Sequence, residues 1–276
     1  IPVPVKEDSL LIDESKINSL ITSKTKAIIP VHLYGNPTNK VQIQDIANKH
    51  GLFIIDDAAQ AHGAKKNLQK VGSFFDMTCF SFYPTKNLGA LGEAGCITTN
   101  KKEYFEKIKS LANYGKSNHN PVINNYQGLN CRGDELQAAF LISKLKNLDY
   151  IIKKRQSIIK IYEKLKTPKL SAQLKLLEYP EGSSPHLAVI KLKNSSLRND
   201  LIKYLSNCNI QTMVHYPIAC HNQPFLKKNQ IQISNEAARQ AEEISNTIIS
   251  LPISEVHQDH EIYYVVESIS RFFESF

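Results

Sequence analysis

The 276-residue sequence lacks several features that define whole classes of protein. It contains no stretch of about 18 to 20 unbroken apolar residues, which a membrane-spanning helix requires. It has no internal repeat and no low-complexity tract, and with 42% apolar and 22% charged residues it is neither fibrous nor disordered in composition. The sequence therefore predicts a globular protein of one large or two ordinary domains, with no membrane partner.

A disulfide framework is also missing from the sequence. The cysteine count is odd and no C-x-x-C pair occurs, which fits poorly with paired or metal-bound thiols. Several cysteines lie inside apolar runs, so we interpret them as reduced, buried side chains of a cytoplasmic protein. The five positions are Cys79, Cys96, Cys131, Cys208 and Cys220.

The net charge is +8, from 34 Lys and Arg against 26 Asp and Glu. A nucleic-acid-binding protein would concentrate this charge on one face and carry a recognisable binding motif. Here the lysines are spread through helix-like segments and no such motif is present. We therefore predict a solvated, lysine-rich surface and no nucleic-acid partner, with a mild attraction for small anions.

The first half of the chain alternates short apolar runs with helical patterns. Apolar runs at 27–31, 52–55, 78–82 and 95–99 predict strands that are buried on both faces of a mostly parallel α/β sheet. Helical patterns are predicted over 13–21 and 39–49. Asp13 is suited to cap the first helix, and Gly51 is suited to end the second.

A long helical pattern runs from Asp134 to about Lys166, and after it the order of predicted helices and strands changes. Beyond it the sequence predicts strands at 186–192 and 210–214, and helices at 197–207, 236–248 and 260–273. Mixed elements of this kind are typical of a smaller α+β domain. We therefore predict a large domain over 1–155 and a small C-terminal domain over 156–276.

Two acidic residues, Asp56 and Asp57, directly follow the predicted strand at 52–55. In open α/β sheets, ligands bind at the carboxyl ends of the strands, so this pair is a candidate binding site. The alternative is that one of these acids only caps a following helix, which is a common arrangement.

Lys86 follows the next strand in a loop that runs from Pro84 to a glycine-rich exit at Gly89. A single lysine is usually an inert surface residue. The apolar strand, the hydroxyl of Ser81 and the nearby glycines nevertheless suit a phosphate-bearing ligand, because small residues let backbone amides approach it. Pyridoxal phosphate needs a lysine amine, a carboxylate at its pyridine nitrogen and donors for its phosphate, and Lys86, Asp57 and Ser81 offer one of each.

Five motifs then occur in order along the whole chain, and together they resemble one family. They are the segments at 29–35, 57–64, 80–89, 128–139 and 215–218, with the letters IPVHLYG, DAAQAHGA, FSFYPTKNLG, GLNCRGDELQAA and HYPI. They resemble the sugar-nucleotide aminotransferases of the DegT/StrS family, which are fold-type-I pyridoxal-phosphate enzymes. The resemblance implies a mostly parallel central sheet and a smaller C-terminal α+β domain.

The resemblance also implies a role for each matching position. Lys86 would form the Schiff base with pyridoxal 5'-phosphate and carry the proton, and Asp57 would pair with the pyridine nitrogen. Gln60 would lie near the phenolic oxygen or the ring face, and Ser81 would bind the phosphate. Asp56, where many relatives carry glutamate, would be structural.

Further positions are implied to complete the site. Asn130, and with less support Arg132, would reach the phosphate of the neighbouring subunit's cofactor, so the working unit would be a homodimer with a shared active site. His215 and His221 would lie where the substrate enters, although both also read as ordinary polar turn residues. The resemblance implies no metal.

The implied reaction moves an amino group, with glutamate as the expected donor, to a nucleotide-linked keto-deoxysugar such as a dTDP-3-keto-6-deoxyhexose. Two alternatives stay open. One is a pyridoxal-dependent sugar dehydratase, against which Lys86 argues because such relatives carry histidine there. The other is a truncated, non-catalytic relative that acts as a binding or regulatory partner.

The sequence departs from the family at its start. It opens on Ile1, and the Gly-Thr phosphate cup and the ring-stacking aromatic residue that the family carries upstream have no counterpart. We therefore expect an N-terminally truncated fragment that keeps Lys86 and Asp57 but holds the cofactor weakly, because part of the phosphate cradle is absent.

Overall fold

The computed structural model describes residues 1–120, 122–229 and 232–274. None of the helices in these ranges has both the length and the apolar character needed to cross a membrane. The helices are α1 (Glu14–Ile17), α2 (Lys40–His50), α3 (Lys102–Leu111), α4 (Glu135–Leu145), α5 (Leu148–Tyr162), α6 (Pro168–Ser171), α7 (Ser195–Asn207), α8 (Pro224–Lys228), α9 (Asn235–Thr247) and α10 (Asp259–Glu274). The strands are β1 (Ala27–Ile28), β2 (Phe53–Asp57), β3 (Lys65–Lys66), β4 (Gln69–Lys70), β5 (Met77–Ser81), β6 (Gly95–Thr98), β7 (Leu174–Leu176), β8 (Ala188–Leu192) and β9 (Ile248–Leu251).

The first sheet has the strand order β1-β2-β5-β6. The pairs β1–β2 and β2–β5 are parallel, which confirms the predicted mostly parallel arrangement. The pair β5–β6 is antiparallel, and β6 is largely exposed rather than buried on both faces. The physical reason is that no helix stands between these two strands. A parallel return needs a crossover of a dozen or more residues, usually helical, whereas a loop brings the chain back antiparallel.

Helix α2 covers one face of this sheet. Ile43 and Ala47 of α2 are buried together with Ile54 of β2, and full burial of an Ile side chain stabilises the fold by about 1.5–3 kcal/mol. Gly51 ends α2 in the left-handed conformation with a φ of 64°, as its position after the helical pattern predicted. Asp13 caps α1 by accepting a hydrogen bond from Ser15 N at 3.0 Å, which confirms the predicted cap.

The C-terminal part contains a second sheet of three antiparallel strands, in the order β7-β8-β9. Helices α5, α7 and α10 pack with this sheet around one apolar core. Ile190 and Ile249 lie fully buried at its centre. This arrangement confirms the expected C-terminal α+β character.

Two predicted elements differ from the structure in detail. The long helix over 134–166 is divided into α4 and α5, with Lys146 and Asn147 between them. The predicted strand at 210–214 is wrong, because the segment forms only one bridge, between Met213 and Ser250. The proposed domain boundary near residue 155 falls within α5, and it stays a prediction.

The cysteines are free, but their predicted burial is wrong. Cys96, Cys131 and Cys220 are exposed, while Cys79 and Cys208 are partly buried. Cys96 lies on the exposed strand β6 and Cys131 on the loop before α4, so the apolar neighbours in the sequence did not report on the environment of the thiols.

Candidate active site

The carboxyl ends of two paired strands bring the predicted residues to one edge of the first sheet. Asp57 is the last residue of β2, and Ser81 is the last residue of β5. The strands run parallel, with Asp57 opposite Cys79 in the register. The loop over 82–90 continues from Ser81 and carries Lys86, so the lysine returns towards the same edge as Asp57.

Lys86 and Asp57 line a single cavity of about 860 Å³. Gln60 also lines it, and Tyr216 and Cys220 contribute from the C-terminal part. Most of its other lining side chains are apolar and come from residues 1–33. An amine and a carboxylate that share one cavity of this size are able to contact the same ring-sized ligand, as the sequence predicted for this pair.

The environment of Lys86 favours the neutral form of its amine. Partial burial lowers the pKa of the Lys86 amine, and the Asp57 carboxylate raises it by a smaller amount. The net effect is a lowered pKa, so the neutral fraction at pH 7 exceeds that of an exposed lysine. A neutral amine is the form that attacks carbonyl carbons and accepts protons.

Three buried or partly buried imidazoles lie within the electrostatic influence of this amine. Burial lowers the pKa of His62 to about 4, with a smaller contribution from the charge of Lys86 and against a backbone hydrogen bond with Ser81 that raises it. Burial and Lys86 also lower the pKa of His186, by a wide margin, and that of His215. These histidines are therefore neutral at pH 7, and they add no positive charge beside the lysine.

Gln60 is buried and its side-chain amide is oriented by two hydrogen bonds. Its Oε1 accepts from Tyr34 N at 2.7 Å, and its Nε2 donates to the hydroxyl of Tyr216 at 3.2 Å. The hydroxyl of Tyr34 in turn donates to the carbonyl of His215 at 2.6 Å. Gln60 thus joins the turn that follows β1 to the C-terminal segment at the wall of the cavity.

Asp56 is fully buried on the opposite side of β2 from Asp57. Its carboxylate accepts a hydrogen bond from Thr78 Oγ1 at 3.0 Å and lies 3.3 Å from His32 Nε2. The Nδ1 atom of His32 accepts from Thr38 N at 3.0 Å, which leaves the proton of a neutral ring on the nitrogen facing Asp56. These contacts give Asp56 a structural environment, as expected.

Ser81 and the loop residues Asn130 and Arg132 lie in different settings. The Ser81 hydroxyl stands at the start of the Lys86 loop and accepts from Tyr83 N at 3.3 Å. Asn130 and Arg132 belong to an exposed loop before α4, where Arg132 donates to Asn113 Oδ1 at 2.7 Å. The structure does not bring these two side chains to the cavity, and their phosphate contacts stay predictions.

The two histidines predicted on the substrate side also differ. His215 lies within the electrostatic influence of Lys86, and its Nδ1 is 2.9 Å from the hydroxyl of Ser250. His221 instead is largely covered and lies 3.0 Å from Oε1 of the exposed Glu242. His215 is therefore near the candidate site, while a substrate role for His221 stays a prediction.

Several residues around the site were not singled out from the sequence. Tyr216 stands within the HYPI motif beside His215, so the motif weakly indicated a functional role for it. Asn87 likewise stands within the motif at 80–89, next to Lys86, whereas nothing in the sequence singled out His186, because its role comes from contacts between distant segments. Asn87 bonds to Ser184, 97 residues further along the chain.

A model of the DegT/DnrJ/EryC1/StrS aminotransferase family matches residues 1–270 of the chain. The chain is 42% identical, over 274 residues, to a dTDP-3-amino-3,6-dideoxy-alpha-D-galactopyranose transaminase from Aneurinibacillus thermoaerophilus. That match covers 98% of this chain and 72% of the relative. The chain is also 31% identical to a dTDP-3-amino-3,4,6-trideoxy-alpha-D-glucose transaminase from Streptomyces venezuelae. This second match covers 99% of the chain and 71% of that relative.

Among solved structures, the chain is similar to NtdA from Bacillus subtilis with bound cofactor PMP. The two share 29% sequence identity with a TM-score of 0.89. The match covers 99% of this chain and 62% of NtdA. A similarity of this extent confirms the fold expected from the motifs.

Proposed function

Because the chain belongs to the DegT/DnrJ/EryC1/StrS aminotransferase family, we propose that it transfers an amino group to a keto sugar linked to a nucleoside diphosphate, with pyridoxal phosphate as cofactor. The observation that carries the proposal is the shared cavity of Lys86 and Asp57 at the carboxyl edge of the first sheet. Few other cofactors require both an amine and a carboxylate in one cavity.

The residues at this edge of the sheet fit this cofactor, with Lys86, Asp57 and Gln60 lining the cavity and Ser81 ending the neighbouring strand β5. When bound, pyridoxal phosphate supplies an electron-withdrawing ring that stabilises negative charge on the α-carbon of an amino donor. Lys86 would hold the cofactor through its amine, which partial burial keeps available as a nucleophile. Asp57 would keep the pyridine nitrogen protonated, Gln60 would lie beside the phenolic oxygen, and Ser81 would bind the phosphate.

We also propose that Lys86 moves a proton during the reaction. Its amine would take a proton from the α-carbon of the amino donor and would deliver it to the C4′ carbon of the cofactor. The lowered pKa of Lys86 suits this task, because a base works best when its pKa lies near the working pH. We also propose that the neutral imidazole of His215, on the C-terminal side, lies beside the substrate as it enters the site.

The acceptor in our proposal is a dTDP-linked 3-keto-6-deoxyhexose, and the donor is glutamate. The names of the two relatives support the acceptor, since both refer to a dTDP-linked deoxysugar that carries an amine on carbon 3. The donor rests on the resemblance alone. A cytoplasmic location belongs to the same proposal and is supported by the free state of the five cysteines.

An amine-transfer assay tests this function. With excess pyridoxal phosphate, glutamate and a dTDP-linked 3-keto-6-deoxyhexose, we expect 2-oxoglutarate and the matching 3-amino sugar nucleotide, detected by mass spectrometry. The 4-keto isomer should react at least about tenfold more slowly, because a misplaced carbonyl loses its alignment with the Lys86 amine. An enzyme that carries the cofactor on Lys86 but aminates no nucleotide-linked keto sugar would contradict the proposal.

We further propose that the chain works as a homodimer in which Asn130 and Arg132 of one subunit reach the phosphate of the cofactor bound to the other. Helix α4, which follows their loop, supports this proposal. It carries the apolar side chains of Leu136, Ile142 and Leu145, yet none of its residues is buried among the described parts of the chain. Large apolar side chains that a single chain leaves exposed along a whole helix are typical of an interface, and a second copy of the chain is the occupant we propose.

Replacing Leu136 with Glu tests the dimer. We expect the wild-type chain to sediment as a dimer and Leu136→Glu as a monomer with amine transfer reduced at least about tenfold, because a charge is costly to bury in an apolar contact. Leu68→Glu is the matched control, since Leu68 is also apolar and highly exposed but lies in the turn between β3 and β4. A Leu136→Glu variant that sediments and reacts like the control would rule out α4 as the interface.

A further inference from the structure

Asn87, the residue after Lys86, is held by several hydrogen bonds of its side chain. Asn87 is only 2% exposed. Its amide nitrogen donates to the carbonyl of Ser184 at 3.2 Å, to the hydroxyl of Ser184 at 3.0 Å and to the carbonyl of Pro185 at 3.3 Å. Three acceptors from one distant segment therefore converge on a single side chain next to the lysine.

The segment 183–186 also holds two other parts of the site. The hydroxyl of Ser184 donates to the carbonyl of His62 at 2.6 Å. Backbone bonds join Ser184 N to Gly35 O at 3.0 Å and His186 N to Tyr34 O at 2.9 Å. The approach to Gly35 is so close that a Cβ there would lie 1.9 Å from the Ser184 carbonyl oxygen, so only glycine fits.

Helix α5 fixes the segment from behind. Arg155 donates to the carbonyl of His186 at 3.1 Å and is paired with Glu255 at 3.1 Å. Gln156 donates to the carbonyl of Ser183 at 2.8 Å. The segment 183–186 is thus a buried anchor on the C-terminal side, and it is held independently of the Lys86 loop.

The backbone hydrogen bonds inside the loop fix its shape, but they do not join it to the rest of the protein. Lys86 N donates to Tyr83 O at 2.9 Å, and Ala90 N donates to Phe82 O at 2.7 Å. Both bonds start and end within the loop over 82–90. The side chain of Asn87 connects this loop by hydrogen bonds, one residue from the lysine, to the buried anchor, while Leu88 packs against Leu148 and Ile152 of α5.

We propose that Asn87 is a positioning residue for the aminotransferase reaction: by bonding to the segment 183–186 it fixes the Lys86 loop and sets where the Lys86 amine lies opposite Asp57. The inference rests on the proposed function, because it assigns Lys86 the reacting amine. Its physical basis is that a reacting group must be held close to its productive geometry, and small displacements reduce the rate steeply.

Two variants separate this role from a purely structural one. Asn87→Ala removes the bonds beside Lys86, and Gln156→Ala removes a bond to the same segment from the α5 side. We expect Asn87→Ala to lower kcat about tenfold or more with a small change in the KM for glutamate, because the loss concerns positioning. Gln156→Ala should keep kcat within about twofold, although both variants lose a buried hydrogen bond.

The second readout does not depend on the cofactor. Methyl groups labelled with carbon-13 are attached to the lysines of the cofactor-free chain, the Lys86 resonance is identified by its absence in Lys86→Arg, and its pKa is measured by NMR. In Asn87→Ala the loosened loop should expose the amine and raise its pKa by about half a unit or more, and Gln156→Ala should not. Should Asn87→Ala not fold, Ser184→Ala, which removes one of the three acceptors, should show a smaller rise.

Equal kcat values and equal Lys86 pKa values in Asn87→Ala and Gln156→Ala would overturn the inference. So would an unchanged Lys86 pKa in both Asn87→Ala and Ser184→Ala. A wild-type chain that does not attach pyridoxal phosphate to Lys86 would instead overturn the proposed function, so the two failures are distinguishable.

Discussion

Replacing Lys86 with Ala is expected to abolish both the visible absorbance of lysine-bound pyridoxal phosphate and the transfer of amine, with a rate loss on the order of a thousandfold or more. The variant lacks the amine that holds the cofactor and the base that moves the proton, and no other group replaces both. Absorbance after addition of the cofactor and a glutamate-dependent amine-transfer assay measure the two effects. Lys86→Arg should fail in the same way, because a guanidinium stays charged.

Lys24 offers a matched control, since it is an exposed lysine that lines the same cavity. Lys24→Ala should keep the absorbance and the reaction, as it removes an exposed lysine that has no contact with Asp57 in our proposal. A Lys86→Ala variant that transaminates at the wild-type rate would show that another group carries the chemistry. Loss of the absorbance in Lys24→Ala but not in Lys86→Ala would assign the attachment of the cofactor to Lys24 instead.

Replacing Asp57 with Asn is expected to be the next most damaging change, with kcat lowered about a hundredfold or more while the cofactor still attaches to Lys86. An amide does not hold the pyridine nitrogen in its protonated form, so the ring withdraws electrons less strongly. The variant also removes the charge that raises the pKa of Lys86, and the pKa of that amine should fall further below its ordinary value. Single-turnover absorbance measurements with glutamate and an NMR titration of Lys86 check the two effects.

Asp56→Asn is the control for this prediction. Asp56 is next to Asp57 in the chain, but its carboxylate is buried with Thr78 and His32 on the other face of β2. The change should lower the free energy of unfolding, by about 1–3 kcal/mol for a disturbed buried hydrogen bond, and spare the chemistry of the cofactor. Equal losses of kcat in the two variants at full cofactor loading would contradict the assignment of Asp57.

The sequence was informative about the site where chemistry and topology coincide. Asp57 and Lys86 each follow an apolar strand, and the ends of neighbouring parallel strands lie at one sheet edge, so their shared cavity was predictable from local patterns. The same reasoning identified the cap at Asp13 and the helix end at Gly51, because both depend only on nearby residues.

Features that depend on distant contacts were not predictable in this way. The antiparallel direction of β6 follows from the path of the loop over 82–94, and apolar letters alone do not report it. The predicted strand at 210–214 has suitable residues but only one bridge partner, Ser250. The anchoring of Asn87 by Ser184 joins segments far apart in sequence, and neither residue type by itself indicates a functional role.

The predictions for Asn130, Arg132 and His221 stand apart for a physical reason. The first two are assigned to a cofactor in another subunit, and the third to a substrate, so the contacts that would define their roles lie between molecules. Within the single chain, Arg132 bonds to Asn113 and His221 to Glu242. The dimer test on Leu136 is therefore the route to the first two.

The central claim is that the Lys86 amine is the group that bonds to the cofactor. Its most direct test is to add pyridoxal phosphate to the wild-type chain, reduce the product with borohydride, digest it and locate the modified lysine by mass spectrometry. Our account predicts a stable phosphopyridoxyl adduct on the peptide that contains Lys86, blocked by prior reaction of the cofactor with a competing amine. An adduct confined to other lysines, or none on the Lys86 peptide at saturating cofactor, would contradict it.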